Sequence, residues 1–142
     1  YNEVLEGWPH LKWYGFLADD VVPETDGWDT TLIKAATQRY KPHGLAYGDD
    51  GIDPTRPTHF VLGGDLVRQM GWLSLPGLQR IFIDTVWHDI AKAGNVLRYV
   101  PEVKLTHHHF SNGKALMDAT YRKPGKAQDA ALYAKWKQET SL

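Results

Sequence analysis

The sequence predicts one α/β domain, and three observations lead there. Short runs dense in apolar and aromatic residues alternate with stretches of helical spacing. Turns rich in Gly, Pro and Asp separate them, and no repeat, low-complexity tract or linker interrupts the series. A length of 142 residues with 42% hydrophobic content fits one domain, or a large part of one, with a real core.

In chain order, Tyr1 to Trp8 reads as the last turns of a helix, stopped by Gly7 with Pro9 just beyond. Leu11 to Ala18 is so continuously apolar that it predicts a buried strand, ending on Asp19-Asp20. Thr25-Asp26-Gly27 is turn and cap chemistry. Trp28 to Tyr40 follows as a helix, with Trp28, Leu32, Ile33 and Ala36 on one stripe. Residues 41–57 read as loops around a short strand, Gly44 to Tyr47. His59 to Leu62 is a second short strand, broken by Gly63-Gly64. Leu66 to Met70 is a short helix and Ser74 to Gln79 a loop. Phe82 to Ala93 is a helix stopped at Gly94-Asn95. Val96 to Val100 and Val103 to His109 read as strands. Asn112 to Tyr121 and Ala127 to Glu139 read as two closing helices, parted by Pro124-Gly125.

The composition excludes several classes. A net charge of −1 leaves no electrostatic footprint for nucleic acid or anionic membrane. The absence of cysteine excludes disulfides and thiolate chemistry. No apolar run approaches the roughly 20 residues of a membrane span, and no signal peptide is visible, so a cytoplasmic protein is expected. Six Trp and seven Tyr are enough to line a sugar or base site as well as a core. The chain opens on Tyr1 rather than Met, as a fragment or a processed product does.

Five features can carry chemistry. A strand that stops on Asp19-Asp20 puts two carboxylates at a sheet edge, where they repel unless a cation lies between them; the alternative is a plain turn. Thr106-His107-His108-His109 sets His107 and His109 on one face of a strand, which with the carboxylates makes a mixed N/O divalent site, or else a solvated strand end. Asp84 stands in a first helical turn, where the macrodipole favours it by roughly 0.3–1 kcal/mol and where it can also serve as a general base. His88, four residues on, is either its hydrogen-bond partner or a surface residue. Gly63-Gly64 lets a backbone approach a ligand, or simply turns; it matches no phosphate-loop fingerprint. Lys114, Asp118 and Tyr121 share one helical face, able to hold a phosphate or to pair internally.

Taken in order, these pieces resemble the second half of a family 2-type glycosyltransferase with the glycosyltransferase-A fold. The shared order is a strand ending in Asp-Asp, a long helix, a Gly-Gly segment, a helix opened by Asp, a short strand, and a strand ending in His-x-His. The stretch from His107 through Gly113-Lys114-Ala115 to Asp118-Ala119-Thr120-Tyr121 is similar to the tail of phage and bacterial members. The resemblance implies a mixed central sheet flanked by helices, as in a truncated glycosyltransferase-A domain. It implies sugar transfer from a nucleotide-diphosphate sugar to an acceptor hydroxyl, with Mn²⁺ or Mg²⁺. Asp20, His107 and His109 would be the metal side, Asp19, Lys114 and Tyr121 the donor side, and Asp84 the base of an inverting displacement. Trp72 and Trp87 would stack on a sugar or belong to the core.

The chain departs from the family pattern in three places. Ala18 stands where the acidic motif has its first carboxylate, and Ile83 where a Glu often precedes the base. Only about eighteen residues precede Asp19-Asp20, where the family has its nucleotide-binding half. Residues 1–142 are therefore expected to be a partial domain, completed upstream or by a second copy or partner chain covering the Leu11 to Ala18 side. A metal-dependent hydrolase and a non-catalytic binding or assembly remnant are the rival expectations.

Overall fold

A computed structural model describes residues 1–39, 41–109, 113–114 and 125–141. The elements are α1 (Asn2–Gly7), β1 (Trp13–Phe16), β2 (Val21–Pro23), α2 (Trp28–Ala36), β3 (Leu45–Asp49), β4 (Phe60–Gly63), α3 (Gly64–Met70), α4 (Ile83–Ala93), β5 (Leu97–His107) and α5 (Lys126–Thr140). The fold is α/β, with a mixed five-stranded sheet in the order β1-β4-β3-β5-β2. The β3–β5 pair is parallel and the other three pairs are antiparallel.

Two apolar clusters form because alternate residues of a strand face opposite ways. Leu45, Tyr47, Phe60 and Leu62 meet α3, α4 and α5 through Leu66, Val67, Val86, Trp87, Ile90 and Trp136. Ala46 and Val61, between them in sequence, meet Leu32 and Ala36 of α2, with Val100, Val103 and Leu105 of β5. Helices thus cover both faces, and β3 is buried along most of its length. Helix α4 buries Ile83, Val86, Trp87, Ile90 and Ala91, a stripe at three- and four-residue spacing.

Several expectations are corrected. The Leu11 to Ala18 run is not a buried strand. It shortens to β1, which among the described residues pairs only with β4 and buries only Tyr14, with Leu11 and Leu17 exposed beside it. Val21–Pro23, only three residues long and without a period, pairs with the end of β5. The two strands expected at 96–100 and 103–109 are one strand. Its register against β3 jumps between the Tyr47–Tyr99 and Asp49–Lys104 pairs, so a bulge absorbs Pro101, which cannot donate to a ladder. Helix α2 ends at Ala36, four residues short of expectation, where Thr37 turns extended. The helix expected over Asn112–Tyr121 lies outside the described residues apart from Gly113 and Lys114, and with it Asp118 and Tyr121.

Gly63 and Gly64 do let backbone approach closely, but the neighbour is the chain itself. A Cβ on Gly63 would run into the Pro42 carbonyl, and one on Gly64 into the Leu11 carbonyl. Trp72 and Trp87 lie ring to ring 5.1 Å apart. Trp87 is fully buried and donates Nε1–H to the Leu73 carbonyl at 2.7 Å, so it belongs to the core and not to a sugar platform.

Candidate functional site

The topology gathers four chain segments at one end of the sheet. Strands β3 and β5 are parallel, so their C-terminal ends, at Asp49–Asp50 and His107, point the same way. Strand β4 runs against β3, so His59, just before it, starts beside the end of β3. Strand β2 runs against β5, so Asp20 starts beside His107. Backbone bonds fasten the corner: His107 N–H donates to Asp50 O at 3.1 Å and His108 N–H to Asp20 O at 2.8 Å.

Side chains converge there. Asp20 Oδ1 lies 3.1 Å from His107 Nε2, at hydrogen-bonding distance. On the inner side, Asp50, His59 and His107 each present a ligand-type atom, and these atoms all lie within 4.8 Å of one another. The three residues are 4%, 2% and 8% exposed. Asp50 Oδ1 accepts the Ile52 and Asp53 amides at 2.8 and 3.1 Å, an Asx turn that aims the other oxygen inward. His59 Nδ1 accepts the Ala18 N–H at 3.3 Å. Among the described residues, Asp50 Oδ2 and His59 Nε2 are buried without a hydrogen-bond partner.

Imidazoles crowd the corner. The His59 ring meets the His107 ring edge-on at 4.6 Å, and the His109 ring lies 5.1 Å from that of His107. Burial, and after it the neighbouring His107 ring, push His59 down to about 4, against an opposing pull from Asp50 and Asp20. Burial and then His107 also hold His109 below the ordinary imidazole value.

Beside the corner opens a cleft of about 520 Å³. His59 and Ala18 line it on the sheet side, and residues 80–85 line it on the helix side. Asp84, at the second position of α4, is the carboxylate among the described lining residues, while Arg56, Arg80 and Lys126 bring positive charge. Asp84 Oδ1 accepts the Thr85 N–H at 2.8 Å. Tyr1, Phe16 and Phe60 stack in series along the same wall, at 5.5 and 4.7 Å.

The structure therefore brings Asp20, His107 and His109 together and puts Asp84 on the adjoining cleft. Asp19 is exposed in the turn before β2, and Lys114 is exposed beyond β5. Tyr121 lies outside the described residues. His88 bonds Asp89 at 3.3 Å through Nδ1, not Asp84. Sequence reasoning missed Asp50 and His59, although Asp49-Asp50 repeats the signal that drew attention to Asp19-Asp20: a strand that stops on two carboxylates. No protein-family model, no curated protein and no solved structure matches the chain.

Proposed function

We propose that this chain transfers a sugar from a nucleotide-diphosphate donor to an acceptor hydroxyl with the help of a divalent ion. The observation that carries the reading is the meeting of Asp20 and His107, far apart in sequence, at 3.1 Å on one sheet edge beside a cleft. Residues of that corner would hold the ion, which would supply positive charge to the leaving diphosphate. Arg56, Arg80 and Lys126 on the cleft wall suit an anionic donor. Asp84 takes the acceptor hydroxyl proton as the oxygen bonds to the anomeric carbon and the diphosphate oxygen leaves, which gives inversion.

The test is turnover of nucleotide-sugars with and without acceptor, on the parent and on Asp84→Asn. Asn still accepts the Thr85 amide, so stability should change by about 0.5 kcal/mol or less. An amide takes no proton, so turnover should fall roughly 10²–10⁴-fold. Free sugar released at one rate whether or not acceptor is present would make the protein a hydrolase. Unchanged turnover in the Asn variant would remove Asp84 from the chemistry.

A further inference from the structure

We infer that Asp50, His59 and His107 form a buried centre for a first-row divalent transition ion, with Asp20 holding His107 from outside rather than binding the ion. This deepens the transferase reading by naming its ion site, and rests on it only for what the ion does there.

Two buried atoms ask for a partner. Asp50 is 4% exposed, and its Oδ1 is already taken by two amides, while its Oδ2 faces the cluster with none among the described residues. His59 Nε2 is in the same position. A buried carboxylate is costly without a compensating positive charge, and a divalent ion supplies the charge that a bridging water lacks. The three ligand atoms lie within 4.8 Å of one another. Ligands about 2.0–2.2 Å from one ion sit roughly 3 Å apart when adjacent and roughly 4.2 Å when opposite. The cluster is therefore already close to the size an ion requires.

The tautomer of His107 assigns the outer residue. Its Nε2 lies 3.1 Å from Asp20 Oδ1, so that nitrogen carries the proton and donates it. Coordination then falls to Nδ1, which is buried. This is the carboxylate–histidine–metal arrangement, in which the outer carboxylate fixes the ring. Two imidazoles and one carboxylate select Mn²⁺, Fe²⁺, Co²⁺ or Zn²⁺ over Mg²⁺, which prefers oxygen and keeps its waters. Coordination through His59 Nε2 moves the ring proton to Nδ1 and so breaks the 3.3 Å bond from the Ala18 amide. Ion binding is thereby coupled to the Ala18–Asp20 segment at the cleft.

The experiment titrates chelator-stripped protein with Co²⁺, read by its visible absorption, with Zn²⁺ and Mg²⁺ as competitors and the Ala18 amide followed by NMR. One Co²⁺ per chain is expected, displaced by Zn²⁺ and not by millimolar Mg²⁺, with a shifted Ala18 resonance. Asp50→Asn keeps the oxygen that makes the Asx turn, so it should fold, as a melting curve will verify, yet lose stoichiometric binding. His59→Gln should do the same. Asp20→Asn should still bind one ion, about 10–100-fold more weakly. Absence of binding, an Asp50→Asn affinity equal to the parent's, or an unmoved Ala18 amide would overturn the site. If the site behaves as described and the loaded protein turns over no nucleotide-sugar, the transferase reading alone falls.

Discussion

Asp129 clamps the cleft wall, and replacing it tests how that wall is held. It sits in the first turn of α5, fully buried. Its Oδ1 accepts the Gln79 amide and its Oδ2 the Arg80 and Ile81 amides, all at 2.9 Å. The next residue, Phe82, has φ 70°, a left-handed conformation that a bulky side chain adopts at a cost, and Asp84 follows two residues later. The clamp thus over-determines a strained turn that positions the proposed base. Hydrogen bonds to a charged group contribute about 1.5–3 kcal/mol each, so three sum to about 4.5–9 kcal/mol. Gln79 is exposed and its amide regains water in a variant, so we expect Asp129→Ala to lose about 3–5 kcal/mol. Asp129→Asn can keep one oxygen toward Arg80 and Ile81 but turns an NH₂ group on the Gln79 amide, a loss of about 2 kcal/mol. The assay is urea unfolding at neutral pH, where the midpoint should drop at constant slope. Burial alone would raise the Asp129 carboxyl, and the three amides outweigh it and hold it below the usual range. Its contribution is therefore complete above the ordinary carboxylate value near 3.9 and fades as pH falls through the lowered folded value. The Asn variant should lack that acid-side slope. An Asn variant within 0.5 kcal/mol of the parent, or with the parent's acid profile, would refute the clamp.

Two further outcomes follow from the two ends of β4. In EDTA-treated protein, His59 stays neutral down to about 4 when folded but takes a proton near 6.5 when unfolded, so stability should be full above pH 6.5 and fall toward pH 4. The shift corresponds to about 3 kcal/mol, and His59→Gln, measured by unfolding at several pH values, should flatten that window. Gly63→Ala should destabilise by more than about 2 kcal/mol, since φ −70° suits alanine and the whole cost is the collision with the Pro42 backbone. A melting temperature unchanged in that variant would return Gly63-Gly64 to the role of a ligand-facing turn.

The fold was legible where one element's own pattern decides its structure. The stop at Gly94-Asn95 places the end of α4, whose start differs by one residue, and the bounds of β3 and β4 differ by one or two. Legibility failed where a neighbour decides. Strand β1 looks buried because its aromatics are needed elsewhere: Phe16 stacks between Tyr1 and Phe60 on the cleft wall, while the strand's outer edge pairs with nothing among the described residues. Strand β5 looks like two strands because Pro101 breaks the alternation, and only the partner ladder shows that the chain bulges and resumes.

The same distinction explains the site. Asp20 and His107 stand out because each ends or begins a strand, a local property, and their meeting needs only that β2 and β5 be neighbours. Asp50 required a non-local fact. The chain has two Asp-Asp pairs after apolar strands, at 19–20 and 49–50, and nothing in either segment ranks them. The parallel pairing of β3 with β5, across the whole of β4, α3 and α4, carries Asp50 of the second pair to the buried side of His107, while Asp49 pairs with Lys104 at the surface. The antiparallel pairing of β2 leaves the first pair on the more exposed side, where the Asp20 side chain is 31% exposed against 11% for His107. One imidazole between two carboxylates can present only one nitrogen to an ion. The direct 3.1 Å contact to Asp20 takes Nε2, which leaves Nδ1 for the ion. Sheet topology, rather than the motif itself, therefore divides the acidic residues into the one that orients His107 and the one that shares its ion.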